Sequence, residues 1–284
     1  MKIAVSAASG QLGGEIVRAL KASVGAGSII GLARTPEKAK SLGVEVRPGD
    51  YNRPDQLTAS LAGVDSLLLV SGMDAPDKRI QQHRNVINAA RSAGVGKIVY
   101  TSIQGLEEGT DFSPVVQSNR QTEADIRGSG LEWAIGRNGI YIEPDIEYIE
   151  TYKKRGEVTN CAGDEKCDYT TRKELAYAYA RLLTGAEHNG KTFNLHGEAI
   201  TQAQLAEYLN GAFGTQLRYR PVSVEAYRED CIKELGPFLG PIIAGIYQGI
   251  RLGALNQKSD FEAAAGRPHQ SWDAYFAALS SQSA

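Results

Sequence analysis

The sequence predicts an α/β fold, in which a doubly wound parallel sheet is followed by a smaller, mainly helical C-terminal lobe. Three observations predict this fold. Short apolar runs alternate with segments of helical periodicity between residues 3 and 137, and such alternation requires a parallel sheet with helices on both faces. A glycine-containing turn joins the first strand to the first helix. From Thr201 onward only helical patterns and loops are found.

The elements follow from apolar periodicity and from turn residues. Apolar runs of strand length predict strands at residues 3–5, 29–33, 44–46, 64–70, 97–101 and 131–135. Helical spacing predicts helices at residues 11–22, 53–62, 77–93, 117–129, 172–183 and 272–279. Thr35 is the expected N-cap of a further helix, with Pro36 at its first position. Residues 192–195 are expected to return a strand to the edge of the sheet.

Composition excludes several classes of protein. The 284 residues carry a formal net charge of -2 with no lysine or arginine block, which argues against nucleic acid as a partner. No apolar run approaches the ~20 residues of a membrane span. The apolar start of the chain is broken at Gly10, too early for a signal peptide, so a cytoplasmic protein is expected. Neither a membrane nor a nucleic-acid partner is predicted.

Neither cysteines nor acidic residues predict a metal site. Three cysteines cannot form a dense disulfide framework, and Cys161 and Cys167 are interpreted as ordinary reduced loop thiols. One acidic cluster has no adjacent histidine or cysteine, so we interpret it as a solvated face. Its members are Glu143, Asp145, Glu147 and Glu150.

The turn after the first strand is the strongest functional signal. It reads Ser6-Ala7-Ala8-Ser9-Gly10-Gln11-Leu12-Gly13 and opens a helix. Glycines in this position let the backbone approach a pyrophosphate, which the N–H groups of the helix N-terminus then bind. The expected cofactor-binding residues of this turn are Ser6, Ser9, Gly10, Gln11, Leu12 and Gly13.

The turn and several later segments resemble the NmrA-like atypical short-chain dehydrogenases and reductases, and within them the bacterial quinone and triphenylmethane reductases. The likeness is good for residues 1 to about 210 and loose beyond. The later segments are Ala33-Arg34 with Lys38, Gly49-Asp50-Tyr51, Gly63-Val64-Asp65, residues 82–90, Tyr100-Thr101-Ser102, Arg137-Asn138-Gly139-Ile140-Tyr141 and residues 171–176.

The resemblance implies a Rossmann domain that binds NADP(H), and a lobe that binds a small-molecule acceptor. We expect the Rossmann domain to comprise residues 1–140 and about 170–198, and the lobe about 141–169 and 199–284. Ser71 and Gly72 are expected at the cofactor, because they end the fourth strand at the ligand edge of the sheet, and the resemblance implies the same for Asn138. A monomer or a homodimer is expected.

Arg34 and Lys38 predict a preference for NADP(H) over NAD(H). The second strand ends at Arg34, where an NAD-binding protein usually carries an acidic residue for the ribose 2′-hydroxyl. A guanidinium instead pairs with a 2′-phosphate in bidentate fashion, and Lys38 lies one helical turn further on.

Ala7 departs from the family pattern, which usually has glycine at this position. Alanine is tolerated there if φ is negative and is costly if φ is positive. The residue therefore bears directly on how the turn holds a cofactor.

The catalytic pair of ordinary short-chain dehydrogenases is not in its usual place. The chain's one Tyr-x-x-x-Lys, Tyr169 to Lys173, follows the sixth strand, and we interpret it as coincidence. Where relatives have lysine or histidine this chain has Asn119, which can hydrogen-bond a cofactor but cannot act as an acid. Tyr141 is the other candidate catalytic residue, either stacking on the acceptor or donating a hydrogen bond to it.

These residues favour one reaction class and leave two alternatives. A conjugated acceptor such as a quinone gives a delocalised oxyanion that water can protonate, whereas a ketone gives a localised alkoxide that needs an acid. We therefore expect an NADPH-dependent reductase of quinone-like or other conjugated acceptors. A regulator that senses NADP(H) without turnover remains the main alternative. A third hypothesis, a sugar-nucleotide epimerase, is less favoured, because that reaction needs the tyrosine and lysine pair in its usual place.

Overall fold

The computed structural model describes residues 1–281 and has a seven-stranded, all-parallel sheet at its centre. In spatial order the strands are β11 (Lys191–Leu195), β6 (Glu132–Asn138), β5 (Lys97–Ile103), β4 (Ser66–Val70), β1 (Ile3–Val5), β2 (Ile29–Ala33) and β3 (Glu45–Pro48). The order reverses direction between β1 and β4, where Val5 pairs with Leu68 on one side and Gly31 on the other. A crevice at such a switch point is the expected ligand site of an open α/β sheet.

Helices cover both faces of this sheet. They are α1 (Gln11–Val24), α2 (Pro54–Ser60), α3 (Pro76–Ser92), α4 (Ser113–Arg127) and α7 (Arg172–Thr184). One apolar cluster joins Ile16 of α1 to Tyr179 of α7, and the other joins Leu67 of β4 to Val86 of α3. Both faces are therefore buried, which explains why β1 and β2 are apolar at every position.

The remaining elements form the lobe around a third apolar cluster, and a 28-residue helix among them is kinked at Gly236. They are β7 (Ile140–Tyr141), α5 (Glu143–Glu147), α6 (Ile149–Arg155), β8 (Glu157–Asn160), β9 (Lys166–Cys167), β10 (Tyr169–Thr170), β12 (Ile200–Thr201), α8 (Gln202–Phe213), β13 (Arg218–Pro221), α9 (Val224–Arg251), α10 (Phe261–Ala265) and α11 (Trp272–Ser280). Ile142, Leu205 and Trp272 lie in its core. Phe261 of α10 instead joins the cluster of α1 and α7, so this helix packs on the sheet side.

The predicted α/β fold with a helical lobe is confirmed, and most predicted elements lie within a few residues of the observed ones. The strand at residues 192–195 is confirmed as the edge strand β11, paired with β6. Two expectations were wrong. Strand β13 lies beyond Thr201, where no strand was expected, and is held by β8 at the partner register Arg218 to Glu157. Thr35 stands at the N-cap with Pro36 after it, as expected, but its side chain makes no cap hydrogen bond and the helix is a 3-10 helix of seven residues.

The acidic cluster is only half solvated. Glu147 and Glu150 are exposed, as expected. Asp145 is buried, and its carboxylate accepts a hydrogen bond of 2.7 Å from the Tyr152 hydroxyl. Burial raises the pKa of Asp145 to about 6. Glu143 accepts from the backbone N–H of Arg172. The solvated face was therefore a wrong interpretation for Asp145 and Glu143, because α5 turns them towards the lobe.

No helix within residues 1–281 is both long and apolar enough to cross a membrane. In the same part of the chain, no group of histidine, cysteine or acidic side chains is arranged to hold a metal ion. The thiols of Cys161, Cys167 and Cys231 are free and buried.

Candidate active site

The turn between β1 and α1 brings the helix unusually close to the preceding backbone. A Cβ built on Gly13 would lie 2.4 Å from the carbonyl oxygen of Ala7, a distance that real Cβ atoms do not tolerate. The turn itself is tied to β2 by the Ala8 N–H, which donates to the Leu32 carbonyl at 3.0 Å. Gly13 is therefore required for close packing of the helix on the turn, as the phosphate-binding interpretation expects.

Ala7 has a φ of +48°, the one positive value found at a non-glycine residue among residues 1–281. The left-handed region costs an L-residue about 1–2 kcal/mol. The condition under which alanine is costly here is therefore met. Ser9 and Gly10 follow it and are exposed at the tip of the turn.

Replacing Ala7 with glycine is expected to raise the free energy of unfolding by up to about 1 kcal/mol, since relief of the left-handed strain exceeds the added chain entropy. Urea unfolding measures the change. The neighbouring Ala8→Gly is the control, because Ala8 is buried at a negative φ and its replacement should destabilise. Equal losses in the two variants would contradict a strained Ala7.

Ser6 links the start of the turn to neighbouring segments by hydrogen bonds. Its side chain is fully buried and accepts from the Val70 N–H at 2.9 Å. The Tyr51 hydroxyl donates to the Val70 carbonyl, so the Ser6 hydroxyl donates to the Tyr51 oxygen. Ser6 therefore ties β1, β4 and the segment after β3 together, and its hydroxyl faces these partners and not the crevice.

A cavity of about 380 Å³ opens beside the tip of the turn. Its lining includes Ser9 and Gly10 from the turn, Arg34 and Lys38 after β2, and Gly72 after β4. The full lining is Ala7, Ser9, Gly10, Arg34, Thr35, Lys38, Gly49, Asp50, Tyr51, Asn52, Gly72, Met73, Asp74 and Gln82. Of the turn residues predicted for the cofactor, Gln11 is exposed on α1, whereas Leu12 is buried.

Arg34 and Lys38 supply positive charge to this cavity. Both are exposed, and neither forms an ion pair with a carboxylate of residues 1–281. Asp74 lies on the same cavity, where hydrogen bonds from Gln82 and Lys78 lower the pKa of its carboxyl, with a smaller contribution from the charge of Arg34. Two unpaired cations beside a glycine turn fit the phosphates of a dinucleotide.

Asn119 lies behind the crevice. It is only 2% exposed, and its carboxamide oxygen accepts from the Tyr100 hydroxyl at 2.5 Å and from the Ser71 hydroxyl at 3.1 Å. Its amide nitrogen donates to the Val115 carbonyl at 2.8 Å. The Ser71 N–H is held by the Thr101 hydroxyl. Asn119 thus holds Ser71 at the end of β4, and its own polar atoms are turned towards the protein.

Tyr141 has a hydroxyl proton to donate. It is half-buried, and its oxygen accepts from the amide of Asn138 at 3.2 Å. Burial raises the pKa of Tyr141, so the phenol is protonated at neutral pH. The Asn138 oxygen in turn accepts from the Tyr179 hydroxyl at 2.6 Å. Asn138 therefore orients Tyr141, and both of its polar groups are used within the protein.

The Tyr169 and Lys173 side chains do not form a site. Tyr169 is fully buried in the lobe, where its hydroxyl accepts from Gln202, whereas Lys173 is exposed on α7. A larger depression of about 470 Å³ lies on the lobe between β8, β13 and α9. It is lined by residues such as Arg220 and Lys233. None of its lining residues comes from the central seven-stranded sheet, so it is not the candidate site.

Several functional neighbours were not predicted from the sequence. Tyr51, Tyr100 and Tyr179 hold Ser6, Asn119 and Asn138, respectively. Each lies at least 19 positions along the chain from its partner, so no local spacing reveals the pair. Tyr100 lies on β5 and Tyr179 on α7, whereas Tyr51 lies in the turn after β3.

Comparison with known proteins finds an NAD(P)H-binding family model and several oxidoreductases that are similar in sequence. A family model described as NAD(P)H-binding matches residues 7–186. Quinone oxidoreductase 2 of Escherichia coli K12 is 37% identical over 238 residues, which cover 82% of each chain. An NmrA-like family domain-containing oxidoreductase of Aspergillus flavus is 31% identical over 80% of this chain and 76% of its own.

Two solved structures extend the match through the lobe. The NADPH complex of the quinone oxidoreductase QOR2 from E. coli superimposes with a TM-score of 0.89 at 33% identity, covering 98% of this chain and 99% of that one. The NADP(H) complex of triphenylmethane reductase from Citrobacter sp. also gives 0.89, at 34% identity, with 98% of this chain and 100% of the other covered.

Proposed function

Since the chain belongs to the NAD(P)H-binding, NmrA-like family of reductases, we propose that it is an NADPH-dependent oxidoreductase that transfers hydride to a quinone-like or other conjugated acceptor. The observation that carries the proposal is the cavity in which the glycine turn meets two exposed cations, Arg34 and Lys38. Similarity to reductases crystallised with NADPH and NADP(H) supports the same cofactor.

The chain's own residues divide the work of binding. The backbone of the turn and the N-terminus of α1 hold the pyrophosphate, with Gly13 allowing the close approach. Arg34 and Lys38 hold the 2′-phosphate. Asn119 fixes Ser71 at the end of β4. When bound, NADPH supplies the hydride.

Tyr141 serves the acceptor. It donates its hydroxyl proton in a hydrogen bond to the acceptor oxygen, where negative charge develops. The raised pKa keeps the phenol protonated, so it acts as a donor and not as a base. Water then protonates the delocalised product oxyanion, which is why a conjugated acceptor needs no further acid. We also propose that the chain lacks, at its usual position, the catalytic tyrosine and lysine of ordinary short-chain dehydrogenases.

We further propose a cytoplasmic protein that acts as a monomer or a homodimer on a small-molecule acceptor. A non-catalytic regulator that senses NADP(H) is the second candidate, because the same cavity would serve binding alone. Consumption of NADPH with a panel of quinones, conjugated dyes and simple ketones tests the reaction class. Turnover should be fast with the first two and slow with ketones; ketones as the best acceptors would overturn the mechanism.

Tyr141→Phe is expected to lower kcat for a quinone about tenfold, less than the ~10²–10³ lost with a donor to a localised oxyanion. Affinity for NADPH should be unchanged, because Tyr141 does not line the cavity beside the glycine turn. Steady-state kinetics with saturating NADPH measures the effect. Tyr148→Phe, in the same lobe, is the control. Unchanged kcat in Tyr141→Phe would remove Tyr141 from the mechanism.

Asn119→Ala is expected to change kcat only modestly, since Asn119 orients Ser71 and transfers no proton. The measurement is kcat with a quinone at saturating NADPH. General acid–base catalysis typically contributes about 10²–10⁴-fold, so a loss beyond ~10³-fold would show that the acid-free mechanism is wrong.

A further inference from the structure

We propose that Arg79 and His83 of α3 are positioning residues of the cofactor site, which clamp the Gly72 peptide at the carboxyl end of β4. The inference rests on the proposed function, because it assigns a task within the proposed cofactor site. Neither side chain lines the cavity itself. Both act through Gly72, which does.

Both polar groups of Gly72 are held by α3. Its N–H donates to Nε2 of His83 at 3.0 Å, and its carbonyl accepts from Nη1 of Arg79 at 3.0 Å. The peptide groups on both sides of Gly72 are therefore fixed, and neither can rotate without losing a hydrogen bond to α3. What Gly72 offers the cavity is a rigid backbone surface for the cofactor to lie against.

A third side chain of α3, that of Gln82, holds Asp74, two residues beyond Gly72. Arg79, Gln82 and His83 stand at i, i+3 and i+4, which places them on one face of the helix. The Gln82 amide donates to the Asp74 carboxylate at 2.6 Å and to Asn52 at 3.2 Å. One turn of α3 thus holds the segment from Gly72 to Asp74 along the cavity.

The neighbours of His83 fix its tautomer. The Thr122 hydroxyl donates to the Ser118 carbonyl at 3.0 Å, so its oxygen accepts a hydrogen bond from the Nδ1–H of His83 at 2.8 Å. Nε2 is then unprotonated and free to accept from Gly72. Burial, and secondarily the charge of Arg79, lowers the pKa of His83 to about 3. The imidazole stays neutral at any pH at which the enzyme would work.

Arg79 is a buried cation without a counter-ion. It is 4% exposed and forms no ion pair within residues 1–281. Its guanidinium donates instead to neutral oxygens, those of Gly72, Ser118 at 2.7 Å and Val115 at 3.3 Å. An unpaired buried charge is a costly way to fill a core. Its position makes sense as a brace that joins the Gly72 carbonyl to α4.

Two substitutions at His83 separate the clamp from packing. His83→Phe keeps a ring between Tyr51 and Tyr100, whose centroids lie 6.2 and 5.6 Å away, but removes the acceptor for Gly72. His83→Gln restores an acceptor oxygen near the position of Nε2. Arg79→Met removes the other half of the clamp. Val86→Ala is the packing control, because Val86 lies on the same helix in the apolar core.

The measurement is the Kd of NADPH and of NADH, by cofactor fluorescence, for each variant together with its Tm. His83→Phe and Arg79→Met should weaken both cofactors alike by about tenfold, as expected for the one hydrogen bond to Gly72 that each variant loses. His83→Gln should recover most of that loss. Val86→Ala should lower Tm and leave both Kd values unchanged.

Three outcomes would overturn the proposal. The first is a folded His83→Phe or Arg79→Met with the Kd of wild type. The second is a loss of affinity that tracks Tm in all variants, Val86→Ala included, since that marks general destabilisation. The third is a wild-type protein that binds neither cofactor, which overturns the proposed function as well and is thereby distinguishable from the first two.

Discussion

Replacing Glu123 with glutamine is expected to lower the free energy of unfolding by about 3 kcal/mol. Glu123 has no exposed side-chain surface and accepts from Arg137, Arg120 and Arg127 at 2.7–3.0 Å. The Ser102 hydroxyl also donates to it, at 2.7 Å. Removing the charge leaves three guanidiniums beside a neutral amide. The loss is at the low end for a broken buried pair, because the three arginine side chains are 16–39% exposed.

Urea unfolding of Glu123→Gln against Asp125→Asn measures this contribution. Asp125 lies on the same helix and forms an ion pair with Arg84 that is partly open to solvent, so its loss should cost less than about 1 kcal/mol. Arginine partners lower the pKa of Glu123, so its stabilisation is present above the unfolded value and is lost as pH falls through the folded one. The glutamine variant should lack that loss in acid. Equal costs for the two variants would contradict the account.

Arg34→Ala is expected to weaken NADPH by one to two powers of ten and to leave NADH almost unchanged. Each charge-assisted hydrogen bond to the 2′-phosphate contributes about 1.5–3 kcal/mol, and NADH offers no phosphate to that position. Titration of both cofactors against wild type and variant measures the two Kd values. The clamp variants of α3 should behave differently, since they weaken both cofactors alike.

Lys40→Ala is the matched control for Arg34→Ala. Lys40 is an exposed cation on the same short 3-10 helix as Lys38, but it does not line the cavity. Its loss changes the net charge by the same amount and should leave both Kd values near those of wild type. Equal losses for NADPH and NADH in Arg34→Ala, or tighter NADH than NADPH in wild type, would contradict the assignment.

The parallel sheet was predictable because its strands are apolar on both faces. Runs such as residues 66–70 can only be buried between two layers of helices. Strand β13 was not predictable, since Arg218 to Pro221 is polar and is defined by its pairing with β8. For a related reason, Asp145 was predicted to be solvated although it is buried. Its burial depends on Tyr152 and on the lobe core, and not on its acidic neighbours in sequence.

The cofactor turn was predictable and the supports behind it were not. Glycine spacing after a first strand has a local physical meaning, and at Gly13 a Cβ would lie 2.4 Å from the Ala7 carbonyl oxygen. The roles of Ser6, Asn119 and Asn138 depend instead on tyrosines brought from distant elements. A sequence indicates which side chains reach the ligand edge, but not which of them face inward once they arrive.

A single-turnover experiment tests the central claim most directly. The protein, in excess over NADPH, is mixed with a quinone in the absence of air, and oxidation of the bound NADPH is followed. The account predicts oxidation that requires both protein and quinone, and that slows when the transferred hydrogen at C4 is deuterium. Bound NADPH that stays reduced with every conjugated acceptor would contradict it and would favour a protein that senses NADP(H) without turnover.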